Sequence, residues 1–296
     1  MIVQRSERAG CDGFVLVAVL WILSALAALA AIYSIYVANT AIAVAGNDNA
    51  IEADALMSAS LELTAYQLID MPEEGRPTRG AFNFRLGRAN VAVEFCSEAA
   101  RIDLNEAPKE LLSGLFIALG AQQNEARQYA DRIIGWRTTP KKDAEDAEAS
   151  LYRAAGLTYL PRGAPFDHVG ELWLVFGLPP ELVERVLPHV TIFSGQDQIN
   201  TRDAAPEVLA AIPGMTPDGP TGRRASATAQ LGGQPFVTAE GSPATRVTTR
   251  ISFDNGRQVA SEAVILPGDA SEPFRVLSWQ ADIEPSTLGF RTGFQR

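Results

Sequence analysis

The spacing of apolar positions changes several times along the chain, and each change marks a different kind of element. Residues 13–47 carry no acidic or basic side chain. A bilayer's hydrocarbon requires roughly 20 apolar residues at about 1.5 Å of helical rise each, so 14–37 predicts a membrane-spanning helix. Past it, Ile51, Leu56, Ala59, Leu63 and Tyr66 recur mostly three or four residues apart, which extends the helix over 14–70 until Pro72 ends it. A cleaved secretory signal has a shorter apolar core of roughly 7 to 15 residues that closes on a small-residue site. A plain signal anchor fits both the length and the flanking charge.

The period then shortens to two. After a turn-rich connector at 71–80, Phe82, Phe84 and Leu86 alternate with polar neighbours, as do Val91, Val93 and Phe95, with Gly87 to Asn90 as the turn. Helical spacing returns from residue 101. Asn105 or Asp103 can cap a helix starting near Ala107-Pro108. The next helix is spaced by Ala126, Tyr129, Ile133 and Trp136, and the polar stretch 138–150 reads as a loop or an exposed helix end. Residues 166–195 read as two short helices joined at Gly177-Leu178-Pro179, then an extended piece at 190–193. A segment rich in Gly, Pro and small residues follows at 216–245. Strands resume at 247–253 and 258–266 around Asp254-Asn255-Gly256, a strong hairpin signal, and 274–283 adds a last one.

Composition narrows the function classes. The formal net charge is −10, and no long Lys/Arg run is present. That argues against nonspecific nucleic-acid binding, which depends on cations displacing phosphate counterions. Arg5 and Arg8 precede the span, whereas Asp48, Glu52 and Asp54 follow it with no Lys or Arg before Arg76, which predicts a cytoplasmic amino terminus and a translocated carboxy-terminal part. Cys11 and Cys96 fall on opposite sides of the span, so no internal disulfide is expected. Catalysis finds little support: His168 and His189 sit in no metal or nucleophile motif, and Ser97-Glu98 and Ser194-Gly195 form no nucleophile elbow.

Two sets of residues carry a family resemblance. The first is the polar segment 1–13 ending in Gly13, with the apolar run opening on Phe14. The second is the ordered series IDLNEAP-KELL, ADRIIGWR, an acidic stretch ending in SLY, HVGELWLVFGL, ERVLPHVTIF and INTRDAAPEVLAAI, over about residues 101–214. Together they resemble the minor pseudopilin K of type II secretion systems. The resemblance implies a prepilin leader at 1–13, cut by a prepilin peptidase between Gly13 and Phe14 and followed by methylation of the new amino terminus. It also implies assembly with the I- and J-type minor pseudopilins and the major pseudopilin, in the bacterial inner membrane with a periplasmic domain. Fibre-forming members carry a glutamate at the fifth mature position, where this chain has Ala18, and the missing carboxylate points to the tip position of the K type.

The expected architecture is α+β. A transmembrane and extended helix occupies 14–70, the first part of an antiparallel pseudopilin sheet 80–100, and a helical insertion of two similar, SAM-like subdomains 101–215. A Gly/Pro-rich loop at 216–245 precedes the rest of the sheet and a tail at 246–296. The two subdomains follow from an internal echo, since IDLNEAPKELL and INTRDAAPEVL both place Asn/Asp and an Ala-Pro pair before an apolar helix. Ala25, Ala27, Ala28, Ala30 and Ala31 permit close approach of partner helices in the membrane.

Some relatives bind calcium through acidic loops. Asp143, Glu145, Asp146 and Glu148 supply hard oxygen ligands, but without the spacing of an EF-hand loop, and no cofactor is required. Family members usually flank the tryptophan matching Trp136 with acidic residues, whereas here its neighbours are Gly135 and Arg137. A rival function rests on LAAIPGMTP, which resembles the turn of helix-hairpin-helix modules and would suit a membrane-anchored DNA-binding protein. Asp218 and the acidic composition oppose it, and no nucleic-acid partner is expected.

Overall fold

A computed structural model describes residues 12–72, 75–140, 147–215, 236–269 and 272–281, with backbone alone at 12–15 and 41–49. The leader up to residue 11, most of the Gly/Pro-rich loop and the carboxy-terminal tail lie outside the described residues. The chain forms two compact units, Met1–Ala55 and Leu56–Arg296.

The first helix, α1, runs over Asp12–Ile69. Within the first unit its apolar part, Leu16–Thr40, has mean hydropathy 2.5 and contains no buried residue. Within the second unit the helix changes character. Leu56, Met57, Ser60, Leu61, Thr64, Ala65 and Leu68 are buried, a stripe of helical period.

This stripe is rotated from the expected one. Ile51, Leu63 and Tyr66 are exposed, and two hydroxyl residues take inward places. The helix tolerates them because Ser60 Oγ donates to the Leu56 carbonyl at 2.8 Å and Thr64 Oγ1 to that of Ser60 at 2.7 Å, so neither hydroxyl is buried without a partner.

The sheet is a five-stranded antiparallel one in the order β1-β2-β7-β8-β9, comprising β1 Arg79–Leu86, β2 Ala89–Ser97, β7 Thr245–Phe253, β8 Gln258–Pro267 and β9 Phe274–Gln280. Strict alternation places Val91, Val93 and Phe95 on one buried face with Val247, Ile251, Ala263 and Ile265. The first hairpin is tighter than the sequence suggests. Only Gly87 and Arg88 separate the strands, and Gly87 takes the left-handed conformation (φ 59°) that a two-residue turn demands. The Asn-Gly hairpin forms as expected, with Gly256 at φ 84°.

Between β2 and β7 the chain builds a helical head around one core. Its helices are α2 Lys109–Ala118, α3 Gln123–Arg137, α4 Ala147–Ala154, α5 Pro180–Val186 and α6 Pro206–Ala211. Two short parallel strand pairs complete it, β3 Ile102–Asp103 with β4 Val190–Thr191, and β5 Ile199–Asn200 with β6 Val237–Thr238. The core includes Leu111, Leu115, Phe116, Ile133, Trp136, Tyr152, Leu172, Val208 and Ile212, so the two echoed blocks share it.

Three local expectations change. The segment Val169–Leu174 is a 3₁₀ helix rather than an α-helix, closed by His168, whose Nδ1 accepts from Gly170 N at 2.9 Å. The SLY segment belongs to α4, which buries Ala149 and Tyr152, so it is no loop end. Neither Asp103 nor Asn105 caps α2. Pro108 occupies that position, and Asn105 instead spans to Phe166, accepting from its N at 2.7 Å and donating to its O at 3.1 Å.

Candidate functional site

Among its described residues the apolar stretch Leu16–Thr40 carries no acidic, basic, histidine or cysteine side chain, so its chemistry is that of its surface. Leu20, Trp21, Ile22 and Leu23, successive positions about 100° apart around the helix, are each more than 55% exposed, which leaves no polar face for water to wet. Ala25, Ala27, Ala28, Ala30 and Ala31 are likewise exposed. Ala18 lies in the span, where a carboxylate would carry a desolvation cost of several kcal/mol without a partner. Gly13 and Phe14 fall in the first turn of α1, with the Phe14 side chain outside the described residues.

In the head, buried polar groups fix loops rather than aim into a cavity. Asp103 is 1% exposed, and each of its oxygens is engaged. Oδ1 accepts from Asn105 N at 2.8 Å, while Oδ2 accepts from Ser194 Oγ at 3.0 Å and Gly195 N at 2.9 Å. Asn200, the matching residue of the second block, accepts from Arg202 N at 3.0 Å and donates to the Glu240 carbonyl at 3.2 Å. The echo read in the sequence therefore has a structural basis: in both blocks a short Asx residue ends a two-residue strand and holds the next turn.

The unusual neighbours of Trp136 also have a physical reason. Its indole Nε1 donates to Glu171 Oε2 at 2.9 Å, so a distant carboxylate takes the place of an adjacent one. A Cβ at Gly135 would lie 2.7 Å from the Glu148 carboxyl carbon, so a side chain there would displace Glu148. Arg137 donates to the carbonyls of Leu104 and Ala107, the latter at 2.8 Å, and ties α3 to the turn ahead of α2. Of the four acidic candidates for calcium, Asp143, Glu145 and Asp146 lie outside the described residues. Glu148 is in α4 and accepts from Arg132 Nη1 at 2.7 Å.

The least anticipated cluster lies where head and sheet meet. Glu98, fully buried, accepts Nε of Arg246 at 2.7 Å and Nη2 at 2.9 Å, Arg101 Nη1 at 3.1 Å and the Thr191 hydroxyl. Burial opposes its ionisation, but the charge and hydrogen bonds of Arg246, then Arg101 and Thr191, prevail and hold its carboxyl below the usual carboxylate range. Arg246 also pairs with Glu262 on β8. No motif marks this cluster, and only the position of an acidic residue immediately after a strand hinted at it.

The remaining chemical candidates take structural places. Cys96 is a free thiol pushed up to about 11 by burial and then by Asp203, so it is a poor nucleophile. His189 is pushed down by burial. At the turn Ile212-Pro213-Gly214, Gly214 adopts φ 81° and Met215 N donates to the Ile212 carbonyl at 3.1 Å. Ile212 is buried in the head core, and Arg223-Arg224, the nearby basic pair, lies outside the described residues.

An amino-terminal helix with a 25-residue apolar stretch, an antiparallel sheet and a helical head inserted between its strands define an α+β protein. Residues 90–195 match the family model described as type II secretion system, protein K. No curated protein matches the chain. A chain in the crystal structure of the GspK–GspI–GspJ complex from the enterotoxigenic Escherichia coli type 2 secretion system is similar in fold. The two share 15% sequence identity and a TM-score of 0.57, and the match covers 81% of this chain and 99% of that one. Over residues 90–195 the chain thus resembles the type II secretion K proteins, and its fold resembles that of the chain in that complex.

Proposed function

We propose that this chain is a minor pseudopilin that caps the tip of the type II pseudopilus and nucleates its assembly with I- and J-type partners and the major pseudopilin, in support of protein export across the outer membrane. Ala18 carries the reading. In fibre-forming members a membrane-embedded glutamate pairs with the charged amino terminus of a neighbour. A subunit with alanine there has nothing to offer a subunit ahead of it, and only the tip has none ahead. The helical head adds bulk that opposes further addition. The chain works by assembly and not by catalysis. Its precursor inserts in the inner membrane with Arg5 and Arg8 cytoplasmic, which leaves the sheet and head of the processed chain periplasmic.

The deciding experiment is intact mass and amino-terminal sequencing of the membrane-extracted protein, with and without co-expressed prepilin peptidase. A mature chain beginning at methylated Phe14 is expected. A chain still starting at Met1 beside active peptidase overturns the processing. Replacing Gly13 by a bulky residue should retain the leader and reduce secretion. Ala18→Glu should leave secretion close to wild type, and a severe defect would oppose the tip position.

A further inference from the structure

The head hangs from the sheet by two neighbouring chain crossings. β2 ends at Ser97 and β7 begins at Thr245, and these two residues are paired across the ladder. One step further out, Glu98 N donates to the Ala244 carbonyl at 3.0 Å. A domain joined by two adjacent strands is free to swing unless something else braces it. One brace is the Thr78 hydroxyl ahead of β1, which donates to Asp203 in the head; the others converge on a single carboxylate.

Glu98 is the first residue beyond β2, and Arg246 is the second residue of β7, so their bidentate pair closes the neck where the chain leaves and re-enters the sheet. The Thr191 hydroxyl reaches Glu98 Oε2 from β4, inside the head. Arg101 pairs with Oε1 and also donates Nε to the Pro188 carbonyl at 3.1 Å, a second hold on the head. Arg246 passes the connection to β8 through Glu262. Two carboxylates face two guanidinium groups, so the cluster is balanced.

A buried pair of this kind adds little net stability compared with an apolar replacement, because desolvation offsets the attraction. What it supplies is direction, since a bidentate fork accepts its partner in one plane. We infer that Glu98 is a neck clamp that fixes the orientation of the head on the sheet, so that the two move as one body. This holds whether or not the protein occupies a tip.

Hydrogen exchange of the full-length chain in detergent, resolved by segment, tests the clamp. Glu98→Gln preserves volume and removes the charge. The neck segments 97–103, 188–194 and 243–247 should exchange about tenfold faster or more, while α2, α3 and the middle of β8 keep wild-type rates. Unchanged neck exchange would overturn the clamp. Acceleration spread equally through α2 and α3 would overturn it too, since Glu98 would then be a general stability residue. If Glu98→Gln does not fold, Thr191→Val carries the test. It should release 188–194 and leave 243–247 protected, and wild-type exchange at 188–194 would count against the clamp.

Discussion

The apolar stretch of α1 and the helical head draw on the same residue types and place them in opposite ways. Along Leu16–Thr40 the large apolar side chains face outward, with Trp21 75% and Leu16 63% exposed. In the head, Leu111, Ile133 and Leu172 are fully buried. The two arrangements suit different solvents. A helix apolar all round gains nothing from water and needs hydrocarbon or other helices. In hydrocarbon, apolar contact alone does not favour association, so small residues such as Ala27 and Ala31 matter by allowing backbones to approach. The head supplies its own water-excluding core and spends its polar groups on holding turns.

The contrast gives a ranked set of substitutions, each measured by thermal or urea unfolding of the detergent-extracted chain. Phe116→Ala should show the largest effect, about 3–5 kcal/mol, because it empties a site at 1% exposure in the head core. Gly114→Ala should cost about 1–3 kcal/mol. A Cβ there would stand 2.0 Å from the Ala211 carbonyl oxygen, where α2 and α6 approach most closely, so no rotamer change can relieve it. A wild-type result for this variant would show that α6 can move away from α2.

The third effect is one of pH. The folded-state pKa of Glu98 lies below its unfolded value, so its contribution is complete above the unfolded pKa and is lost as pH falls through the folded one. The melting temperature should therefore fall more steeply on acidification in wild type than in Glu98→Gln. Parallel curves would show that other carboxylates govern the acid limb. The smallest effect is expected from Leu23→Ala, within about 0.5 kcal/mol, since Leu23 is 56% exposed. A large loss there would mean that the span contributes to the folding of the head.

Much of this architecture was legible because it depends on periodicity. The span, the two hairpins and the principal helices follow from spacings of one, two and 3.6 residues, and the Asn-Gly turn fell where expected. The rotated stripe on α1 was not legible, since Ser60 and Thr64 read as polar although their hydroxyls are satisfied within the helix. The capping of α2 failed for a related reason. Asp103 and Asn105 have the right chemistry for a cap, but partners distant in sequence, Ser194 and Phe166, claim them first. Glu98 and Arg246 were invisible because 147 intervening residues separate two halves of one interaction, and spacing carries no such information. Gly135 looked like a mere departure from the family pattern until Glu148 was seen packed against it.

The order β1-β2-β7-β8-β9 has a consequence for how such a molecule arises. If the head were excised and Ser97 joined to Thr245 by a tight turn, every remaining strand would pair with its neighbour in sequence, an up-and-down meander with no crossover. The sheet is thus a finished scaffold with a socket, one whose two contacts already lie side by side. Any domain with adjoining termini meets the geometric condition for being plugged in there, so lineages sharing this scaffold are free to exchange heads while keeping the same sheet.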